Sequence, residues 1–125
     1  MIQAIKQRLE EVERALKALG DADVRRDVGA AVDPPAYVIG PPSLRWEAIG
    51  SASSVGSSSM RVFVYVIEVA DELAVERLWT RVPAVGAAID EHVLDAVVIS
   101  AEPDTFITGQ TQLPCYRVEL EMSLA

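Results

Sequence analysis

Histidine, cysteine and lysine are nearly missing from this 125-residue chain, and asparagine is missing altogether. The one histidine is His92, the one cysteine is Cys115, and the only lysines are Lys6 and Lys17. A closed zinc site takes about four Cys or His ligands, and two such residues are on offer. One cysteine forms no intrachain disulfide, which removes the disulfide-scaffold class and fits a reducing compartment. Without asparagine there is no N-glycosylation acceptor. Both lysines lie in the first predicted helix among acids, a poor setting for a Schiff base. Gly50 and Gly56 bracket a polar stretch but lack the following lysine of a phosphate loop, and no dinucleotide fingerprint occurs. Positive charge is also short: 11 bases stand against 19 acids, for a net charge of −8. That balance excludes a general nucleic-acid binder, which needs clustered Lys and Arg. Long apolar runs are absent too. Residues 62–67 form the strongest, at six residues, where a membrane-spanning helix needs about 20. The N-terminal stretch carries Lys6 and Arg8 where a signal peptide has an apolar run. The expectation is a soluble protein made in the cytoplasm, with no membrane partner.

What is present reads as one globular domain. Half the residues are hydrophobic and 24% are charged, an ordinary balance for a folded chain of this length. The negative charge is uneven. Residues 82–125 hold seven acids and one base, a net of −6, whereas residues 1–81 hold twelve acids and ten bases, a net of −2.

Ile2, Ile5, Leu9, Val12, Leu16 and Leu19 recur at spacings of three and four, which predicts an amphipathic helix ended by Gly20. Residues 21–35 read as a connector that closes on Asp33-Pro34-Pro35. Residues 36–39 read as a short strand bracketed by prolines, a pattern that suits a sheet edge or an abrupt start. Residues 43–49 alternate as a second strand. The Ser/Gly stretch 50–59 reads as a flexible loop. Residues 60–69 are apolar on both faces, as in a central, doubly covered strand. Asp71 is placed to cap a helix through Leu73, Leu78 and Val82, and Pro83 predicts a kink or break before a second piece carrying Val85, Ala88 and Ile89. Residues 96–101 form another apolar strand, with a bulge or bend expected at 102–104. Tyr116, Val118, Leu120, Met122 and Leu124 alternate with Arg117, Glu119, Glu121 and Ser123, the signature of a strand with one dry and one wet face. The order of elements gives an α+β fold: a mostly antiparallel mixed β-sheet with two helices packed on it, in a single domain over residues 1–125.

Candidate chemistry is sparse. His92 reads as a partly exposed residue near a helix end, and Cys115 as a small filler at the start of a strand, with no motif to activate its thiol. The acid pairs, among them Glu102 with Asp104 and Glu119 with Glu121, read as solvated carboxylates, since no apolar pocket is in view to separate their pKa values. No catalytic, cofactor or metal residue is assigned. Trp79 sits one step off the Leu78 position and reads either as a core residue or as a contact with a partner subunit.

The whole succession has a counterpart. A helix with a Leu/Ile stripe leads into Pro-Pro-Ala-Tyr-Val-Ile-Gly-Pro-Pro (34–42). A Trp46-Glu47 strand, a Ser/Gly-rich loop, the Val-rich strand 60–69 and the helix over 72–89 follow, and the chain ends in Pro-Cys-Tyr-Arg-Val-Glu-Leu-Glu-Met (114–122). This pattern resembles the tail terminator (tail completion) proteins of long-tailed bacteriophages, especially those infecting actinobacteria, over nearly the whole chain. The resemblance implies a structural protein of the virion neck: a hexameric ring on the head-proximal end of the tail tube, which stops tube growth and presents the joining surface for the head-side connector. DNA passes through its lumen. The tail tube protein and the connector or stopper are the implied partners. Within that frame Ser51, Ser53, Ser54, Ser57 and Ser58, with Trp79, are candidate interface residues. Glu102, Asp104, Glu119 and Glu121 are candidates for an acidic lumen that repels phosphate. Two other readings stay open: another neck component such as a head–tail stopper, and a small cytosolic ligand-binding domain or enzyme.

Overall fold

The computed structural model describes residues 2–26, 29, 31–46 and 59–124. The chain runs α1 (Ile2–Leu19), β1 (Asp23–Arg25), β2 (Ala36–Ile39), β3 (Ser43–Arg45), β4 (Ser59–Ile67), α2 (Ala74–His92), β5 (Ala96–Thr108) and β6 (Thr111–Ser123). The strands form one sheet in the order β1-β2-β4-β6-β5, and β3 pairs with β4 in line with β2. The β1–β2 pair is parallel and all the others are antiparallel. This is the α+β, mixed-sheet, single-domain architecture that the sequence implies.

Both helices lie on one face of the sheet. Val12, Ala15 and Leu16 of α1 and Leu78, Val85 and Ile89 of α2 bury against Val62, Val64 and Val66 of β4 and Val118, Leu120 and Met122 of β6. The α1 stripe works because its 3-4 spacing keeps those side chains on one side of a 3.6-residue turn. Gly20, at φ +66°, ends the helix with its N–H on the Lys17 carbonyl, a left-handed stop that a Cβ would strain.

Four local expectations are corrected. β2 is no edge strand, because the three-residue β1 covers it in parallel; β1 is too short to show a periodicity. Pro83 does not break α2, which runs on from Ala74 to His92 with the proline inside it. It is exposed on the outer side of the helix, while Leu78 and Val85 pack on the same core on either side of it. The ladder is regular at residues 102–104, and the irregularity falls at Ile99, between Val98 and Ser100. Finally, β4 is central but covered by helices on one face alone. Its second face is buried only at one end, where Ile67 joins Val38, Phe106, Leu113 and Cys115 in a small cluster with Val32. Asp71 opens the turn that leads into α2, its carboxylate accepting the Leu73 N–H, although Leu73 holds the cap position itself. Ser59 belongs to β4 rather than to the loop, and residues 50–58 lie outside the described residues.

The β5–β6 hairpin is the longest feature, with 13 residues in each strand. Its two-residue turn places Gly109 at φ +61° in the first central position, as a type II′ turn requires. β4 reaches only as far as Cys115, so the hairpin overhangs it from Pro114 to the tip.

Candidate functional site

An ion cluster centred on the buried Glu68 fixes α2 against the sheet end. Glu68 follows β4 on the helix side, with its side chain 3% exposed. Arg81 Nε donates to its Oε2, Arg77 lies 3.3 Å from its Oε1, and the Val69 N–H donates to Oε1 at 3.0 Å. Arg81 also reaches Asp21 Oδ2 at 2.9 Å, and Asp21 accepts the Tyr37 hydroxyl at 2.9 Å. Burial alone would raise the Glu68 carboxyl. The Val69 amide and the two guanidiniums outweigh it and hold the carboxyl below its ordinary value. Burial pushes the Tyr37 hydroxyl up to about 12, so it stays a neutral donor at physiological pH. Among the described residues no buried side-chain polar atom lacks a partner. The members of the cluster are thus partnered among themselves, while Asp21, Arg77 and Arg81, with Thr80 and Ala84, line an open surface pocket beside it.

The exposed counterpart is the outer edge of β5, the end strand of the sheet. The ladder tells which backbone groups point off this edge. The Pro114 carbonyl accepts from Glu68 N–H at 3.1 Å, so Pro114 faces β4, and Thr105, its register partner, faces away from β6. The Thr105 N–H donates to the Asp104 carboxylate at 2.8 Å. Alternation then turns Pro103 and Ala101 outward as well. Pro103 thus stands where its missing N–H costs no ladder bond, a setting in which a sheet tolerates proline. Between Pro103 and Thr105 the edge offers no unsatisfied donor. Residues 96–101 have no such protection. There Val97 is 61% exposed, Val98 and Ile99 are exposed beside it, and Leu94, in the preceding turn, is 79% exposed. A long apolar edge in this condition is an invitation to strand pairing.

Trp79 flanks the same edge on the helix side. It is 60% exposed, and its indole N–H donates to the Tyr116 hydroxyl at 2.8 Å. Tyr116 is the register partner of Pro103. Trp79 is therefore a surface residue held in a fixed orientation, not a core residue. Ser51, Ser53, Ser54, Ser57 and Ser58 lie outside the described residues.

The four candidate lumen acids share the helix-free face of the sheet. Glu119 and Glu121 of β6 bracket Arg61 of β4, at 3.1 and 3.3 Å. Glu102 and Asp104 of β5 bracket Arg117 of β6, at 3.2 and 3.6 Å, and that guanidinium stacks over the Phe63 ring at 5.0 Å. Each arginine is thus shared between two carboxylates, and these six side chains carry a net of −2. Exposed pairs of this kind contribute about 0–1 kcal/mol each, so their effect is on the field rather than on stability. Alternation along β6 places Glu119 and Glu121 on one face; that Glu102 and Asp104 share it, and the pairing with Arg61 and Arg117, required knowledge of strand order.

Cys115 stands five residues into β6, not at its start, and is buried. Burial, with help from Asp104, pushes its thiol up to about 12 against the opposing effect of Arg117. At neutral pH the folded protein is expected to react with a thiol-specific disulfide reagent at least 100-fold more slowly than the unfolded chain, because the thiolate is the nucleophile. Equal rates would contradict the burial. His92 closes α2 and is exposed. Among the described residues no group of three or more His, Cys, Asp or Glu is placed to hold a metal ion. No described helix is long and apolar enough to cross a membrane.

No protein-family model matches the chain, and no curated protein matches it.

Proposed function

We propose that this chain is a structural tail terminator of a long-tailed bacteriophage, a subunit of a ring, hexameric in the family it resembles, that caps the tail tube and does no bond-making chemistry. The observation that carries the reading is the open apolar half of β5. A monomer that leaves Val97, Val98 and Ile99 bare on an unpaired edge is prone to association, and a closed ring is the arrangement that uses the edge without polymerising further. In this reading Trp79 and the serines at 51, 53, 54, 57 and 58 contact neighbours, and the ring is part of the virion neck. The tail tube protein lies below it and the connector or stopper above.

The helix-free face suits the bore. Glu102, Asp104, Glu119 and Glu121 outnumber Arg61 and Arg117, the two arginines set among them, and each of these two is held by two carboxylates, so a phosphate passing over this patch must compete for them. Neutralising all four, with Glu→Gln at 102, 119 and 121 and Asp→Asn at 104, is expected to make the assembled ring retain duplex DNA in a salt-dependent way. Unchanged DNA retention would remove these acids from the bore.

The role is tested on tail tubes. Purified protein added to polymerising tube protein is expected to shorten the tubes and to appear as density on one tube end. Density that requires a further bridging protein before it reaches the tube would indicate a stopper instead. Failure to touch tube ends at all would overturn the terminator reading.

A further inference from the structure

The open half of β5 has a matching edge on the opposite side of the same sheet. β3 pairs with β4 on one side, and among the described residues no strand lies on its other side. Two rungs cross the entire sheet between these edges. Leu44 pairs with Met60, Met60 with Met122 and Met122 with Ala96, while Ser43, Arg61, Glu121 and Val97 form the next rung. β3 and the start of β5 therefore stand at one height along the strands.

Their hydrogen-bonding groups match as well. The Gly40 N–H donates to the Phe63 carbonyl, so Phe63 and, two residues earlier, Arg61 turn their backbone groups toward β3. Ser43, the partner of Arg61, then faces inward and Leu44 faces outward. On the other edge, the alternation fixed by Pro114 carries past the Ile99 irregularity to make Val97 face inward and Ala96 and Val98 outward. Leu44 and Ala96 thus present free-facing N–H and C=O groups on the same rung. β3 and β5 also run in opposite directions, because each of the three intervening pairings is antiparallel.

We propose that subunits join by antiparallel strand addition, the start of β5 in one copy against β3 of the next, with Leu44 and Ala96 exchanging backbone hydrogen bonds. The proposal rests on the ring reading and names the interface that closes it. Where the strands run along the ring axis, edges at one height join with no rise, and zero rise is the condition for a closed ring rather than a helix; tilted strands close with a matching stagger at the joint. Charge agrees. β5 and its preceding turn hold Asp95, Glu102 and Asp104 and no base, so pairing β5 with itself across a two-fold axis would crowd acids. In the β5–β3 contact, Arg45 of the next copy comes level with Asp95, and the exposed Trp46 comes level with the exposed Leu94. Each copy then contributes β3, β4, β6 and β5 to one continuous wall. Six copies would give about 24 strands, and at a spacing of roughly 4.8 Å a wall at least about 37 Å across between backbones, wider as the strands tilt, with the acid-rich face able to line it.

The test is disulfide cross-linking of Ser43→Cys/Val97→Cys, two exposed positions on one rung that face each other as a non-hydrogen-bonded pair. Within one chain they are three strand spacings apart, roughly 14 Å, beyond the reach of a disulfide, and the native Cys115 is buried. Mild oxidation of the assembled protein is expected to give a ladder of covalent multimers up to the full ring. The single variants and a Ser43→Cys/Thr105→Cys control are expected to give none. Absence of the ladder in a sample shown by native mass to be assembled, or cross-linking through the control pair instead, overturns this interface and leaves the ring reading standing. A protein that stays monomeric at all concentrations and on tube ends overturns both.

Discussion

Arg81→Met is expected to lower the unfolding free energy by about 3 kcal/mol, because it strips the better-placed cation from a carboxylate buried to 3% exposure. In a domain of this size that is roughly 10 °C in Tm. Three losses combine. Glu68 keeps Arg77 alone, at 3.3 Å; Asp21 loses the guanidinium at 2.9 Å; and Tyr37 is left donating to a carboxylate with no counter-charge. Glu68→Met in the Arg81→Met background is expected to recover part of the loss, since the uncompensated buried charge has then gone. Strict additivity of the two substitutions would contradict the coupling. The pH dependence follows from the same group. The folded carboxyl of Glu68 lies below its ordinary value near 4.5, so its contribution is complete above that value and is lost as the pH falls through the folded pKa. Acid unfolding of the wild type is therefore expected to steepen below about pH 4.5. The Glu68→Met/Arg81→Met variant should show less of that slope.

Val97→Lys/Ile99→Lys is expected to abolish assembly while leaving the fold intact. Both side chains are exposed on the edge strand, so neither lysine displaces a core residue. Lysine on an edge strand is the device by which sheets refuse further strands. Losing the burial of two aliphatic side chains at about 1.5 kcal/mol each weakens each contact roughly 100-fold. The folded monomer should give an unchanged circular dichroism spectrum and a lower sedimentation coefficient than wild type at equal concentration. An assembly with undiminished mass would show that β5 is not the contact.

The parts of this molecule that sequence reveals are those governed by local periodicity. The α1 stripe, the Val-rich β4 and the alternation of β6 all follow from which residues must meet water and which must not, and with them the α+β class. Structure was needed wherever the partner is remote in sequence. Glu68 closes an apolar strand, and nothing nearby marks it as the centre of an ion cluster whose other members stand at positions 21, 37, 77 and 81. The three-residue β1 has no room for a pattern, and it turns β2 from an edge into an interior strand. Pro83 carries a strong local signal for a break, which packing on both sides of it overrides. The candidate interface divides in the same way. The apolar character of residues 96–101 is plain in the sequence. That this segment forms an edge, level with β3 and guarded beyond it by Pro103 and Asp104, depends on strand order.

In the proposed role, copies of this chain close around an axis. Native mass spectrometry of the purified protein, alone and on tail tube ends, with electron microscopy of the same samples, measures that directly. The expected result is one closed species of defined subunit number with a central hole, at the tube end if not already in free solution. A lone monomer in every sample, or open filaments of indefinite mass, would contradict it.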